Sequence, residues 1–126
     1  MISIVIPLYN KKDCIRKTMD SVLAQSFKDF EVIVVDDGSI DDSAEVVSSI
    51  SDDRIRLITK VNGGPSSARN RGIEEAQGDI ISFIDADDVW APDHLESLIQ
   101  LISDCSSMDV RIASRSNGTS VRVSNA

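Results

Sequence analysis

Two aspartates separated by one residue, Asp85-Ala86-Asp87, followed by Asp88, are the chemically most suggestive feature of the chain. Carboxylates at this spacing can gather round one hard cation. Mg²⁺ and Mn²⁺ favour oxygen ligands and usually keep positions open for water or phosphate oxygens. The pattern alone is soft, because acidic triplets also cap helices and fill turns. Asp36-Asp37-Gly38-Ser39 offers a second acidic cluster. A carboxylate there could accept a hydrogen bond from a base N–H or a ribose hydroxyl. The same residues also fit a turn with Gly38 at positive φ and Ser39 or Asp41 capping the next helix. In Pro7-Leu8-Tyr9-Asn10, Tyr9 could flank a flat base or pack against the first helix. Asn62-Gly63-Gly64-Pro65 enters a helix carrying Arg69. Helix N-termini favour anions, so Arg69 could touch a phosphate or ribose. His94, the sole histidine, reads as a surface or supporting residue, and Trp90 as either a pocket wall or packing.

These clusters need strands to carry them, and the chain supplies a regular alternation. Ile2–Leu8 is a near-continuous β-branched run, as in a strand buried on both faces. A helix follows over 11–24, then a strand over 30–35, a helix over 42–50 and a strand over 54–59. The next helix, capped by Ser66 or Ser67, places Ala68, Gly72 and Ala76 at four-residue spacing, a face for close packing on a sheet. Gly78 fits a left-handed glycine ending it. A strand over 80–84 runs into the acidic triplet. Pro92 suits the first position of an amphipathic helix marked by Leu95, Leu98, Ile99 and Ile102. Residues 109–113 fit a fifth strand. The serine- and asparagine-rich 114–126 reads as an irregular or disordered tail. The order βαβαβαβα implies an α/β fold, a mostly parallel sheet with helices on both faces. Ligands of such sheets bind beyond the carboxyl ends of the strands. Tyr9, the Asp36–Ser39 cluster and the Asp85–Asp88 cluster should therefore meet on one sheet edge.

The chain has 126 residues, one domain's worth, and a formal charge of −8 from 13 basic and 21 acidic side chains. That balance argues against nucleic acid as a partner. It also means that a phosphate-bearing ligand needs a cation or a local basic group. No apolar run reaches the roughly 18–20 residues of a membrane span. Cys14 and Cys105 lack metal-type spacing and fit reduced thiols of a cytoplasmic protein. An unfinished sheet would leave an edge strand that favours self-association.

Taken in order, Ser3-Ile4-Val5-Ile6-Pro7-Leu8-Tyr9-Asn10, Val34-Val35-Asp36-Asp37-Gly38-Ser39, the Asn62-Gly63-Gly64 loop with Ala68-Arg69-Asn70-Arg71-Gly72, and Gly78-Asp79 leading to Phe83-Ile84-Asp85-Ala86-Asp87-Asp88 closely resemble the family 2 glycosyltransferases. The resemblance covers roughly residues 2–112. It implies the Rossmann-like GT-A fold and transfer of a sugar from a nucleoside diphosphate donor, UDP-linked by expectation, to an acceptor hydroxyl with inversion. It implies that Pro7 and Tyr9 line the nucleobase pocket and that Asp37 contacts the base with Asp36 beside it. Arg69 lies near the nucleotide and Asp85 near the ribose. Asp85 and Asp87 hold the divalent cation, Mn²⁺ or Mg²⁺, which neutralises the leaving diphosphate. The acceptor would be a glycan, a lipid-linked sugar or another hydroxyl, with the enzyme in the cytoplasm or peripheral to the inner face of the membrane. The general base of the family is an acidic residue well downstream of D-x-D, and none here matches it. The expectation is a chain truncated on its C-terminal side, a partial donor-binding domain over 1–113. The rival reading is a nucleotide-sugar-binding module without turnover. A phosphoacceptor signalling domain lacks its acidic pair after the first strand, and a nucleotidyltransferase lacks its glycine-rich basic loop there.

Overall fold

The computed structural model describes residues 1–103 with their side chains, and Asp104 and the strands at 111–113 and 120–123 by their backbone. Three βα units and a fourth strand and helix follow each other as the apolar spacing predicts. They are β1 (Ile2–Leu8), α1 (Ile15–Leu23), β2 (Phe30–Asp36), α2 (Ser43–Ser48), β3 (Ile55–Thr59), α3 (Pro65–Glu75), β4 (Ile80–Phe83) and α4 (His94–Asp104). Strands β5 (Arg111–Ala113) and β6 (Ser120–Val123) complete the sheet. Its order is β3-β2-β1-β4-β6-β5. The first four strands are mutually parallel, whereas β6 runs antiparallel to both β4 and β5.

β1 is the central strand, and alternate residues serve opposite faces, as the period of two demands. Ile2, Ile4, Ile6 and Leu8 meet Ile15, Met19 and Val22 of α1, Val47 of α2, and Leu95 and Leu98 of α4 in the main core. Val5 faces α3, where Ile33, Val35 and Ala68 form a smaller cluster. Helices thus cover both faces of the parallel part. The small-residue face of α3 is required by distance: a Cβ on Gly72 would lie 2.2 Å from Val5 Cγ1.

Several local expectations need correction. The first helix starts at Ile15, one turn later than the apolar pattern suggests; residues 12–14 form a turn over which the Lys11 carbonyl accepts from Cys14 N and Ile15 N, and the Lys11 and Lys12 N–H groups bond to Ser43 Oγ and Asp41 Oδ2. α3 is preceded by Gly64 (φ 95°) with Pro65 in its first turn, so neither Ser66 nor Ser67 is its cap. Gly78 is not left-handed; Gly38 and Gly64 are the positive-φ glycines among the described residues. What Gly78 supplies is room, since a Cβ there would sit 2.5 Å from the Met1 carbonyl oxygen. Pro92 lies in the turn before α4, two residues short of its first position. Ser120–Val123 forms a strand paired with Ile80–Ser82, where an irregular tail was expected. Cys105 and most of 114–126 lie outside the described residues. Among the described residues, no helix is long and apolar enough to cross a membrane.

Candidate functional site

Because β1, β2 and β4 are parallel neighbours, their carboxyl ends lie side by side. Leu8 pairs with Asp36, and Val5 with Phe83. Tyr9, Asp37 and Asp85 therefore emerge just past the same sheet edge, as expected for ligand sites in open α/β sheets. They border a cleft of about 570 Å³ whose other wall is the start of α3. Pro7, Tyr9, Asp37, Arg69, Asp85 and Asp87 all line it. Tyr9 is half-exposed, its ring available to the cleft.

Asp37 is almost fully buried and its carboxylate is surrounded by donors. Oδ1 accepts from Lys60 Nζ at 2.8 Å and Gly63 N at 2.9 Å; Oδ2 accepts from Gly64 N at 2.9 Å. Asn62 Nδ2 donates to the Asp37 carbonyl at 3.0 Å. Burial opposes ionisation here, but the Lys60 ammonium and the two glycine N–H groups outweigh it and hold the carboxyl below its ordinary range. Asp37 thus shapes the loop that forms the mouth of the cleft and leads into α3. Its neighbour Asp36 does not line the cleft. Asp36 is buried at the end of β2, and its Oδ1 accepts from Ser39 N at 3.1 Å, holding the turn in which Gly38 takes φ 76°.

The acidic loop hangs between β4 and α1. Thr18 Oγ1 of α1, fully buried, lies 2.9 Å from the Ala86 carbonyl oxygen and 2.7 Å from that of Asp88. Ala86 is buried beneath, so Asp85 and Asp87 project outward as a pair. One oxygen each of Asp85, Asp87 and Asp88 can be chosen so that all lie within 4.8 Å of one another. Burial, and then the charges of Asp85 and Asp87, push the Asp88 carboxyl up. Three carboxylate oxygens this close together are a donor set that fits a hard divalent cation. Arg69 Nη2 already approaches Asp85 Oδ1 at 3.8 Å. Trp90 is buried in the main core and stacks on His94, centroids 4.3 Å apart, so it packs and His94 supports it.

The sequence pattern assigns no role to Thr18 or Lys60, and none to Asn62 beyond its place in the glycine loop. The last two follow β3 directly, and their place after a strand end was the signal available. Nothing local marks Thr18, whose partners lie about 70 residues away.

A family model described as Glycosyl transferase family 2 matches residues 3–124. The amylovoran biosynthesis glycosyltransferase AmsB of Erwinia amylovora is 49% identical over 107 residues, 79% of this chain and 35% of AmsB. An uncharacterized glycosyltransferase of Haemophilus influenzae is 43% identical over 105 residues, 81% of this chain and 42% of the relative. Among solved structures, S. aureus TarS 1–349 in complex with UDP-GlcNAc superposes with a TM-score of 0.77 at 30% identity, covering 82% of this chain and 31% of that one. The mannosyltransferase PcManGT from Pyrobaculum calidifontis, in complex with GDP-Man and Mn²⁺, gives a TM-score of 0.82 at 19% identity over 97% of this chain and 44% of that one, a likeness of fold. The chain spans less than half the length of each of these proteins. A family model that extends over nearly all 126 residues, on a sheet whose strand ends meet in this cleft, shows that the chain belongs to glycosyl transferase family 2 and has the GT-A fold.

Proposed function

We propose that this chain binds the nucleoside diphosphate sugar, UDP-linked, for a metal-assisted, inverting transfer to an acceptor hydroxyl. The observation that carries this reading is the convergence of Tyr9, Asp37, Arg69, Asp85 and Asp87 on one cleft. Pro7 and Tyr9 give the base a flat, partly apolar wall. Asp37 lies beside the place of the base and fixes the loop there through Lys60, Gly63 and Gly64. Arg69, held near Asp85, is placed for the diphosphate or ribose. Asp85 and Asp87 hold the divalent cation, Mn²⁺ or Mg²⁺, which supplies positive charge where the leaving diphosphate gains negative charge. The TarS likeness supports UDP as the nucleotide, and the AmsB likeness supports polysaccharide assembly as the setting.

Among the described residues lining the cleft, the carboxylates are Asp37, Asp85 and Asp87, and each has a role above. None is left to take a proton from an acceptor hydroxyl. That observation favours, as a second reading of this chain alone, a donor-binding module without turnover. The two readings part on acceptor chemistry and agree on the donor. Calorimetric titration of UDP with Mn²⁺, with EDTA, and with Asp87→Ala tests the shared part. The expected result is binding that requires Mn²⁺ and falls at least about 10-fold in the variant, the scale of losing a charged contact. Equal binding with EDTA, or an unaffected Asp87→Ala, would overturn the donor site.

A further inference from the structure

The turn after β1 carries a cation to which the proposed function gives no part. Lys11 lines the donor cleft, and its Nζ lies 3.5 Å from Asp87 Oδ2. Across the acidic loop Arg69 approaches Asp85 in the same way. Each carboxylate of the D-x-D pair thus faces a cation from its own chain.

The backbone under Lys11 is anchored on every side. Asn10 takes a left-handed φ of 51°, its N–H bonds to Ser39 Oγ at 3.0 Å, and its Oδ1 accepts from Ile40 N at 2.9 Å. Lys11 N donates to the fully buried Ser43 Oγ at 2.9 Å, and Ser43 N is itself bonded to Asp41 at 2.9 Å. None of these bonds uses the Lys11 side chain. The stem therefore starts from a fixed point, while the ammonium, half-exposed, is free to change partner. A lysine ammonium is a compact point charge on a flexible stem, suited to phosphate as well as to carboxylate.

We propose that Lys11 is an exchangeable counter-ion, pairing with Asp87 when the acidic loop holds no divalent cation and passing to the donor's diphosphate when it does. The proposal rests on the donor-site reading above. Two cations cannot share one carboxylate without repelling each other, and the incoming diphosphate offers the displaced ammonium new negative charge. Removal of the ammonium must then act with opposite sign on two equilibria. It removes a competitor from Asp87 and also removes a partner from the bound diphosphate. A fixed partner of Asp87 would affect only the metal, and a plain phosphate ligand only the nucleotide.

The test compares the whole chain with Lys11→Met and Lys11→Arg. Mn²⁺ binding without nucleotide is read by electron paramagnetic resonance, and UDP binding at saturating Mn²⁺ by calorimetry. Lys11→Met is expected to bind Mn²⁺ about 2- to 5-fold more tightly, the scale of a half-exposed ion pair. It is expected to bind UDP about 10-fold more weakly, the scale of one charge-assisted contact. Lys11→Arg, which keeps the charge, should stay within about 2-fold of wild type in both. Unchanged or weaker Mn²⁺ binding by Lys11→Met, undetectable Mn²⁺ binding by both proteins, or unchanged UDP binding would each overturn the exchange. Wild-type UDP binding that ignores Mn²⁺ would instead overturn the donor-site reading on which it rests.

Discussion

Substitution of Asp37 by asparagine removes one charge and one acceptor at a nearly inaccessible position. Both carboxylate oxygens accept from glycine N–H groups, Oδ1 from Gly63 and Oδ2 from Gly64, and Lys60 Nζ adds to Oδ1. Whichever way the introduced amide turned, its NH₂ would face a backbone N–H. The Lys60 side chain, only 16% exposed, would also lose its counter-charge. Hydrogen bonds to charged groups are worth about 1.5–3 kcal/mol each, and breaking one side of a buried pair about 3–5 kcal/mol. These terms share one carboxylate and do not add, so the expected loss is about 2–4 kcal/mol, a large part of a typical domain stability. At roughly 3–5 °C per kcal/mol for a domain of this size, the melting temperature should fall by about 6–20 °C.

The pH dependence of that loss identifies its cause. The folded protein holds the Asp37 carboxyl below its ordinary range, against burial, through Lys60 and the glycine N–H groups. Its contribution is therefore complete above the unfolded-chain value of about 3.9 and is lost as the pH falls through the lower folded value. Urea unfolding of wild type and Asp37→Asn at pH 7 and pH 3 should give a gap that is full at pH 7 and narrower at pH 3. Other carboxylates with lowered values, such as Glu31 and Asp52, weaken both proteins equally and leave the difference intact. A gap under about 0.5 kcal/mol at pH 7, or one unchanged at pH 3, would refute the assignment of the loop's stability to an ionised Asp37.

Two other substitutions probe the frame of the site. Gly72→Ala places a Cβ 2.2 Å from Val5 Cγ1. Overpacking of about 1–3 kcal/mol should exceed the helix-propensity gain of up to about 1 kcal/mol, and adding Val5→Ala should restore part of the loss in a denaturation cycle. Thr18→Val keeps the shape of α1 but removes the hydroxyl between the Ala86 and Asp88 carbonyls. It should cost about 1–2 kcal/mol in denaturation and also weaken Mn²⁺-dependent UDP binding, whereas a purely packing role for Thr18 would leave the binding unchanged.

The central strands β1 and β2 were legible because they are buried on both faces. A strand such as Ile2–Leu8, with six of its seven residues buried, leaves a β-branched run that no helix period mimics. The meeting of Tyr9, Asp37 and Asp85 followed from parallel topology alone. What escaped the sequence was set by contacts across long separations. Ser43 and Asp41 capture the Lys11 and Lys12 N–H groups and fix the turn that precedes α1. Gly78 reads as a helix terminator, yet it is required by the Met1 carbonyl just before β1. Ser120–Val123 alternates only two valines with polar residues, too short a pattern to announce a strand; its partner is the edge that β4 leaves open.

The two edges of the sheet divide the work, and α3 spans them. At the amino edge a closed network is locked in: Ser3 Oγ donates to Glu31 Oε2 at 2.6 Å and accepts from Gly78 N at 2.8 Å, while Gln77 N donates to the same Glu31 oxygen at 2.7 Å. Arg56 ties Glu31 to Glu75 at the last turn of α3. At the carboxyl edge Asp37 holds Gly63 and Gly64 at the helix's first turn. Pinned at both ends, and packed along Val5 through Gly72, α3 has little freedom to slide or tilt. The consequence falls on Arg69, one helical turn from Pro65: its guanidinium faces Asp85 from a fixed backbone. Lys11, on a turn anchored by side chains of the β2–α2 loop and α2, meets Asp87 from the opposite wall. A chain with net charge −8 thereby brings positive charge to bear at the place where a diphosphate would need it, with both cations set from rigid elements and their partners on the loop between them.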